Sequence, residues 1–249
     1  MVLTSGYSFK MRISRIYCAL PLRSGEEVVL EGQTAHYLGK VLRLGAGAPL
    51  VLFNGDGSEY AATLVRVDKK NCAVLPGTQS WPAVESALHT VLGLGISRGE
   101  RMDYAVQKAT ELGVNVIAPL FTEHCEVRLS DERKEKRQEH WQQVAISACE
   151  QSGRVRVPQV LAPQALSAWV KASPAELCLV FDHRESARLG GEKPPGGVAL
   201  LVGPEGGLAS AEIDYARSAG FKGIALGKRV LRTETAPVAA LSVLQYLWG

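Results

Sequence analysis

The chain has 249 residues, 46% of them hydrophobic and 21% charged, which places it among ordinary globular proteins with length for one large domain or two smaller ones. A net charge of +3 permits nucleic-acid binding without announcing it, so any basic footprint has to be a local patch. No stretch approaches the roughly 18 apolar residues of a membrane span, and five singly placed cysteines without a C-x-x-C pair fit reduced thiols in the cytoplasm, not a disulfide framework or a metal site.

Lys10, Arg12 and Arg15 precede only a short apolar run ending at Pro21, too weak a pattern for a signal peptide. Met11-Arg12-Ile13 can be the native start, leaving residues 1–10 as a poorly ordered extension. Residues 11–80 are β-rich, with strands over Val28–Leu30, Pro49–Phe53, Tyr60–Val67 and Cys72–Leu75. Asn54-Gly55-Asp56-Gly57 is a hairpin turn, because Asn and Gly accept positive φ, and Lys69-Lys70-Asn71 is a second turn. One helix interrupts them over Gln33–Arg43, where Ala35, Leu38, Val41 and Leu42 share a face. Short strands with one helix suggest a small barrel, and residues 76–86, with Pro76, Gly77 and Pro82, read as a linker. The domains expected are therefore 1–80 and 87–249.

From residue 88 strand and helix alternate, which implies a mostly parallel sheet and an α/β fold. Strands are expected over Leu88–Ile96, Val114–Phe121, Leu177–Phe181, Val198–Val202 and Lys222–Leu226. Helices are expected over Glu100–Leu112, from Ser130 to Gly153, over Leu166–Lys171, from a Ser210 cap with Ile213, Ala216 and Ala219 inward, and over Thr235–Trp248. The last helix is apolar nearly all round, so it is buried on more than one side, and a subunit interface is favoured over deep packing.

Two glycine turns at strand ends draw the eye: Gly203-Pro204-Glu205-Gly206-Gly207 after Val198–Val202, and Gly227 to Ala236 after Ile224-Ala225-Leu226. Open α/β sheets bind ligands in that crevice. Neither G-x-G-x-x-G nor a Walker loop occurs, so the common phosphate cradles are absent. Val230 and Leu231 are apolar residues in a loop, suited to cover a flat ring. Thr233 or Thr235 can cap the last helix, with Glu234 favoured near its positive end. Arg232 is a cation where the helix dipole disfavours one, which points to function. Basic residues cluster at Arg98 and Arg101, at Arg154 and Arg156, and in Arg12, Arg15, Lys40 and Arg43. Of these, Arg98 and Arg154 stand beside glycines at element ends and are the better phosphate contacts.

Gly203–Leu208, Leu226-Gly227 and Val230–Ala236, with Ser97–Met102, Gln107–Gly113, Ala148–Arg154 and Ala35–Leu44 in this order, resemble the RsmE family of SPOUT-class RNA methyltransferases over nearly the whole chain. The resemblance implies a PUA-like β-barrel that helps hold RNA, followed by an α/β domain with a deep trefoil knot, an exception to the rule against knotted chains. It implies S-adenosylmethionine as cofactor and a homodimer through the C-terminal helix. It implies methylation of N3 of one uridine in the 16S rRNA of the small ribosomal subunit. By position, Val202, Gly203, Pro204, Glu205, Gly206, Leu226, Gly227, Val230, Leu231 and Thr233 would surround the cofactor, and Arg232 and Glu234 would lie nearest the methyl. Arg12, Arg15, Lys40, Arg43, Arg98, Arg101 and Arg154 would meet RNA. Phe181–Ser186 should supply a further pocket loop, but its sequence is not distinctive. Uridine N3 is a poor nucleophile until its proton leaves, so a base (Glu234) and a cation on a uracil oxygen (Arg232) are the roles expected, with a bracing pair in which each holds the other as the alternative. Competing readings are a methylase of the same fold acting on tRNA or 23S rRNA, and a non-catalytic RNA-binding assembly factor.

Overall fold

The computed structural model describes residues 13–68, 70–127, 130–172, 175–185, 189 and 193–249. The chain divides into two units, Met1–Ala83 and Val84–Gly249. Expectations for residues 1–10, Met11, Arg12, Lys69 and Ser186 lie outside the described residues.

The first unit is a mixed five-stranded sheet of order β1-β3-β4-β5-β2, from β1 (Ser14–Tyr17), β2 (Val28–Glu31), β3 (Pro49–Phe53), β4 (Glu59–Val67) and β5 (Asn71–Ser80). The hairpin between β3 and β4 turns where expected, with Gly55 and Gly57 at positive φ. β1, parallel to β3, has no counterpart in the expected strands. Among the described residues β1 and β2 end the strand order and do not pair with each other. β5 also runs past Pro76 and Gly77, which the composition assigns to a linker. β2 pairs with β5 only over Asn71–Val74, so Pro76 sits where a missing N–H leaves no ladder bond toward β2 unmade.

The expected helix from Gln33 is two short pieces, α1 (Gly32–His36) and a π-helical turn over Tyr37–Val41. The wider turn rotates the following side chains. Ala35 and Leu38 reach the core, but Val41, expected beside them, is 59% exposed.

The second unit is a parallel sheet of order β12-β10-β11-β6-β7-β8 with β9 beside β7. Its strands are β6 (His89–Gly95), β7 (Val116–Phe121), β8 (Gln159–Val160), β9 (Gln164–Ala165), β10 (Leu177–Phe181), β11 (Gly197–Val202) and β12 (Lys222–Ile224). β11 is buried along its whole length, as a central parallel strand covered on both faces must be. Val198, Leu200 and Val202 pack toward α2 (Glu100–Glu111), α3 (Asp131–Ser152) and α6 (Thr235–Trp248). Ala199 and Leu201 pack toward α4 (Leu166–Ala172) and α5 (Ser210–Ser218).

Gly153 ends α3 in the left-handed conformation, as its position suggests. Ser210 is the first residue of α5 and not its cap. The Glu212 carboxylate accepts the Ala209 N–H at 2.9 Å and satisfies that amide instead. α5 stops at Ser218, which leaves Ala219 exposed where an inward face was expected.

Candidate functional site

Three segments leave the carboxyl ends of neighbouring strands: 182–185 after β10, 203–209 after β11 and 225–234 after β12. Together they wall a cleft of about 620 Å³, within the roughly 300–1,000 Å³ of small-molecule sites. The second and third are tied by one side chain. The Thr233 hydroxyl donates to the Gly203 carbonyl at 2.9 Å and lies 3.2 Å from the Ser97 hydroxyl. Thr233 therefore closes the site and does not cap α6, whose N-cap is Glu234 with no side-chain capping bond.

Two glycines make that approach possible. A Cβ on Gly95 would stand 2.5 Å from the Pro204 ring, and one on Gly203 would stand 2.8 Å from the Leu208 nitrogen. The loop thus passes over the end of β6 with no room for a side chain.

The cleft brings together Val202, Gly203, Pro204, Glu205, Gly206, Val230, Leu231, Thr233, Arg232 and Glu234. Leu226 and Gly227 are not on its wall. β12 stops at Ile224, Leu226 packs against the core, and Gly227 makes the following turn at φ +94°. The 181–184 segment, indistinct in sequence, does line the cleft. Its backbone is fixed by the Asp182 N–H to Ile224 carbonyl bond of 3.0 Å.

Burial alone would raise the Asp182 carboxyl. Hydrogen bonds from the Arg184 side chain and backbone, with the Arg184 and His183 charges, outweigh it and hold the group below its usual range. Glu205 behaves alike. Burial raises it, but the Arg98 N–H at 2.9 Å, Arg101 at 3.0 Å and the Ser97 hydroxyl lower it further than burial lifts it. Arg101 thus lines the cleft, and Ser97, buried behind Thr233, supports it, neither of which the strand-end pattern alone assigned there.

Arg232 and Glu234 stand apart from this mesh. The Arg232 side chain is 82% exposed, and its guanidinium lies 4.0 Å from Glu234 Oε1, beyond hydrogen-bond range. Glu234 is only 18% exposed, and its Oε2 is buried with no hydrogen-bond partner among the described residues. A buried, unpaired carboxylate oxygen is costly in a finished fold and suits a site that receives a donor.

The basic residues separate. Lys40, Arg43, Arg98 and Arg101 are exposed, although Arg98 pairs with Glu126 at 2.8 Å and Arg101 with Glu205. Arg154, expected to meet phosphate, is 5% exposed. Its guanidinium is spent on Glu85 and on the carbonyls of Thr110 and Val114, so it is a structural cation. Arg15 is mostly covered as well, paired with Glu59 and stacked on Phe53. Both assignments to an RNA surface are corrected by burial. Among the described residues no cluster of three or more His, Cys, Asp or Glu could hold a metal ion, and no helix is long and apolar enough to cross a membrane.

Residues 84–245 match the RNA methyltransferase domain family, and residues 30–76 match the RNA methyltransferase PUA domain family. The chain is 34% identical, over 96% of its length and 98% of the relative's, to the ribosomal RNA small subunit methyltransferase E of Buchnera aphidicola. The S-adenosylmethionine-bound ribosomal RNA small subunit methyltransferase E of Neisseria gonorrhoeae superposes with a TM-score of 0.89 at 38% identity, covering 95% of this chain and 98% of that one. A Legionella pneumophila protein solved with the same cofactor superposes with a TM-score of 0.91 at 39% identity, covering 94% and 98%.

Proposed function

Because the chain belongs to the ribosomal RNA small subunit methyltransferase E family, we propose that it transfers the methyl group of S-adenosylmethionine to N3 of one uridine of 16S rRNA in the small ribosomal subunit. The observation that carries this reading is the cleft itself, walled by the 203–208 and 230–234 segments and tied across by Thr233. Its residues fit the cofactor. Backbone of Gly203 and Gly206 offers polar groups at close approach, while Val202, Val230 and Leu231 offer apolar surface to an adenine ring. Pro204, Glu205 and Thr233 complete the same wall. The two segments form the crossing of a deep trefoil knot, and the sheet around them belongs to the SPOUT class.

S-adenosylmethionine, when bound, supplies an electrophilic methyl group on a sulfonium sulfur. The protein's own residues then have two tasks. Glu234, with its unpaired Oε2, takes the proton from uridine N3, and Arg232 at the cleft mouth stabilises negative charge on a uracil oxygen. Arg98, Arg101, Lys40 and Arg43 offer cations to the RNA backbone.

The protein works in the cytoplasm as a homodimer through α6. Ala240, Leu241 and Leu244 of α6 face its own core, while Val238, Ala239, Val243 and Leu247 are only partly covered and Tyr246 is 88% exposed.

Mass spectrometry of rRNA nucleosides from cells with and without the gene tests the reaction. N3-methyluridine in the small-subunit RNA disappears with the gene; its persistence would sink the reading. Cofactor choice has a cheaper check. S-adenosylmethionine at 100 times its Kd stabilises the folded protein by about 2.7 kcal/mol, seen as a rise in melting temperature that NAD and ATP do not produce. A melting temperature unmoved by the methyl donor would count against the cofactor assignment.

A further inference from the structure

Three locally unfavourable features coincide between His36 and Arg43. The chain leaves α1 through a π-helical turn, with the Leu42 N–H bonded to the Tyr37 carbonyl at 2.9 Å. Arg43 follows at φ +52°, alone among non-glycine described residues in the left-handed region. Two large side chains gain little burial from this, Tyr37 being 43% and Val41 59% exposed. π turns are rare and a left-handed arginine carries strain, of order 1–2 kcal/mol. Leu38 is buried in the core and Leu42 packs partly against it, while Tyr37 and Val41 stay outside.

What the turn achieves is a surface. His36, Tyr37, Lys40 and Val41 all emerge from it exposed, with exposed Arg43 directly after. Among the described residues Lys40 and Arg43 have no acidic partner, unlike Arg15, Arg66 and Arg98. An exposed aromatic ring among unpaired cations matches the chemistry of an unpaired nucleotide, whose base has a flat face and whose backbone is anionic. A duplex offers no free base face, so the complement is single-stranded RNA.

Resting on the reading of the protein as a small-subunit rRNA methyltransferase, we propose that Tyr37 is a substrate-positioning residue that stacks on an unpaired base of the rRNA, with Lys40 and Arg43 on the adjoining phosphates. The ring supplies contact that is independent of salt. The cations supply the salt-dependent part.

Methylation of small ribosomal subunits lacking the modification, measured at several salt concentrations, separates the two. Tyr37→Ala raises the KM for subunits about 5- to 150-fold, as loss of one stacked base does, with kcat little changed and the slope of log KM against log salt the same as in the unaltered protein. Tyr37→Phe keeps the stacking face and stays within about twofold of the unaltered protein. Lys40→Gln lowers that slope by about 0.7–0.9, the share of one phosphate contact. The proposal is overturned if Tyr37→Ala leaves KM unchanged, if it changes the slope as Lys40→Gln does, or if Tyr37→Phe is as impaired as Tyr37→Ala. It is also overturned if the Tyr37→Ala effect vanishes on protein-free 16S rRNA in a filter-binding assay, which would make a ribosomal protein the occupant. Failure of the reaction itself reads differently: the unaltered protein would then methylate no subunits, while its RNA affinity and the effect of Tyr37→Ala on it stay measurable.

Discussion

Glu234→Gln lowers the rate of methyl transfer about 10²- to 10⁴-fold, the usual contribution of a general base, while S-adenosylmethionine still raises the melting temperature. The reasoning starts from what Glu234 does not do. It is the N-cap residue of α6, yet its side chain makes no capping bond. Its charged neighbour among the described residues, Arg232, is 4.0 Å away, too far for a hydrogen bond. One carboxylate oxygen is buried and unpaired among the described residues. A side chain kept for structure would have spent that oxygen, as Glu205 spends its own on Arg98 and Arg101. The glutamine variant preserves size and shape and removes only the ability to accept a proton as a carboxylate. Single-turnover transfer of labelled methyl to small subunits is the measurement. Near-full turnover would reassign Glu234 to bracing Arg232. Arg232→Ala, at an exposed position, is the companion variant, and a loss of rate with cofactor binding intact supports its role on the uracil oxygen.

The sequence was most readable where a local rule acts alone. The limits of β3, β10 and α6 follow from apolar runs and turn residues with little help from tertiary contacts. The two glycine turns announce a crevice because they follow buried strands. Less legible was anything decided by distant partners. Thr233 before a helix looks like a cap, and only the Gly203 carbonyl, thirty residues away in sequence, reveals its use as a tie. The π turn at Tyr37 keeps nearly the helical pattern of apolar residues, so periodicity expects Val41 inside. Strands β8 and β9, of two residues each, are too short to carry a pattern. An arginine beside a glycine at a helix end can serve phosphate or core equally well, and exposure, which sequence does not encode locally, decides between them for Arg98 and Arg154.

That last difference carries a large expected stability effect: Glu85→Ala costs the second unit about 3–5 kcal/mol, the usual loss when one partner of a buried ion pair is removed. Glu85 Oε2 accepts two bonds from Arg154, at 3.1 Å from Nε and 2.8 Å from Nη2. Its Oε1 accepts the N–H groups of Val155 and Arg156, each at 3.0 Å. Arg154 Nη1 donates to the Thr110 and Val114 carbonyls at 2.9 and 2.8 Å, which joins the end of α2 and the start of β7 to the segment after α3. Truncating Glu85 takes the carboxylate away from a guanidinium that is 5% exposed and frees two amides. Arg154→Met leaves the Glu85 carboxylate accepting the Val155 and Arg156 N–H groups, so it costs less than Glu85→Ala, although two carbonyls lose their donor. Urea unfolding followed by tryptophan fluorescence, which reports the second unit through buried Trp141 and Trp169, gives both numbers. A loss below about 1 kcal/mol for Glu85→Ala would mean that the pair behaves like a surface salt bridge.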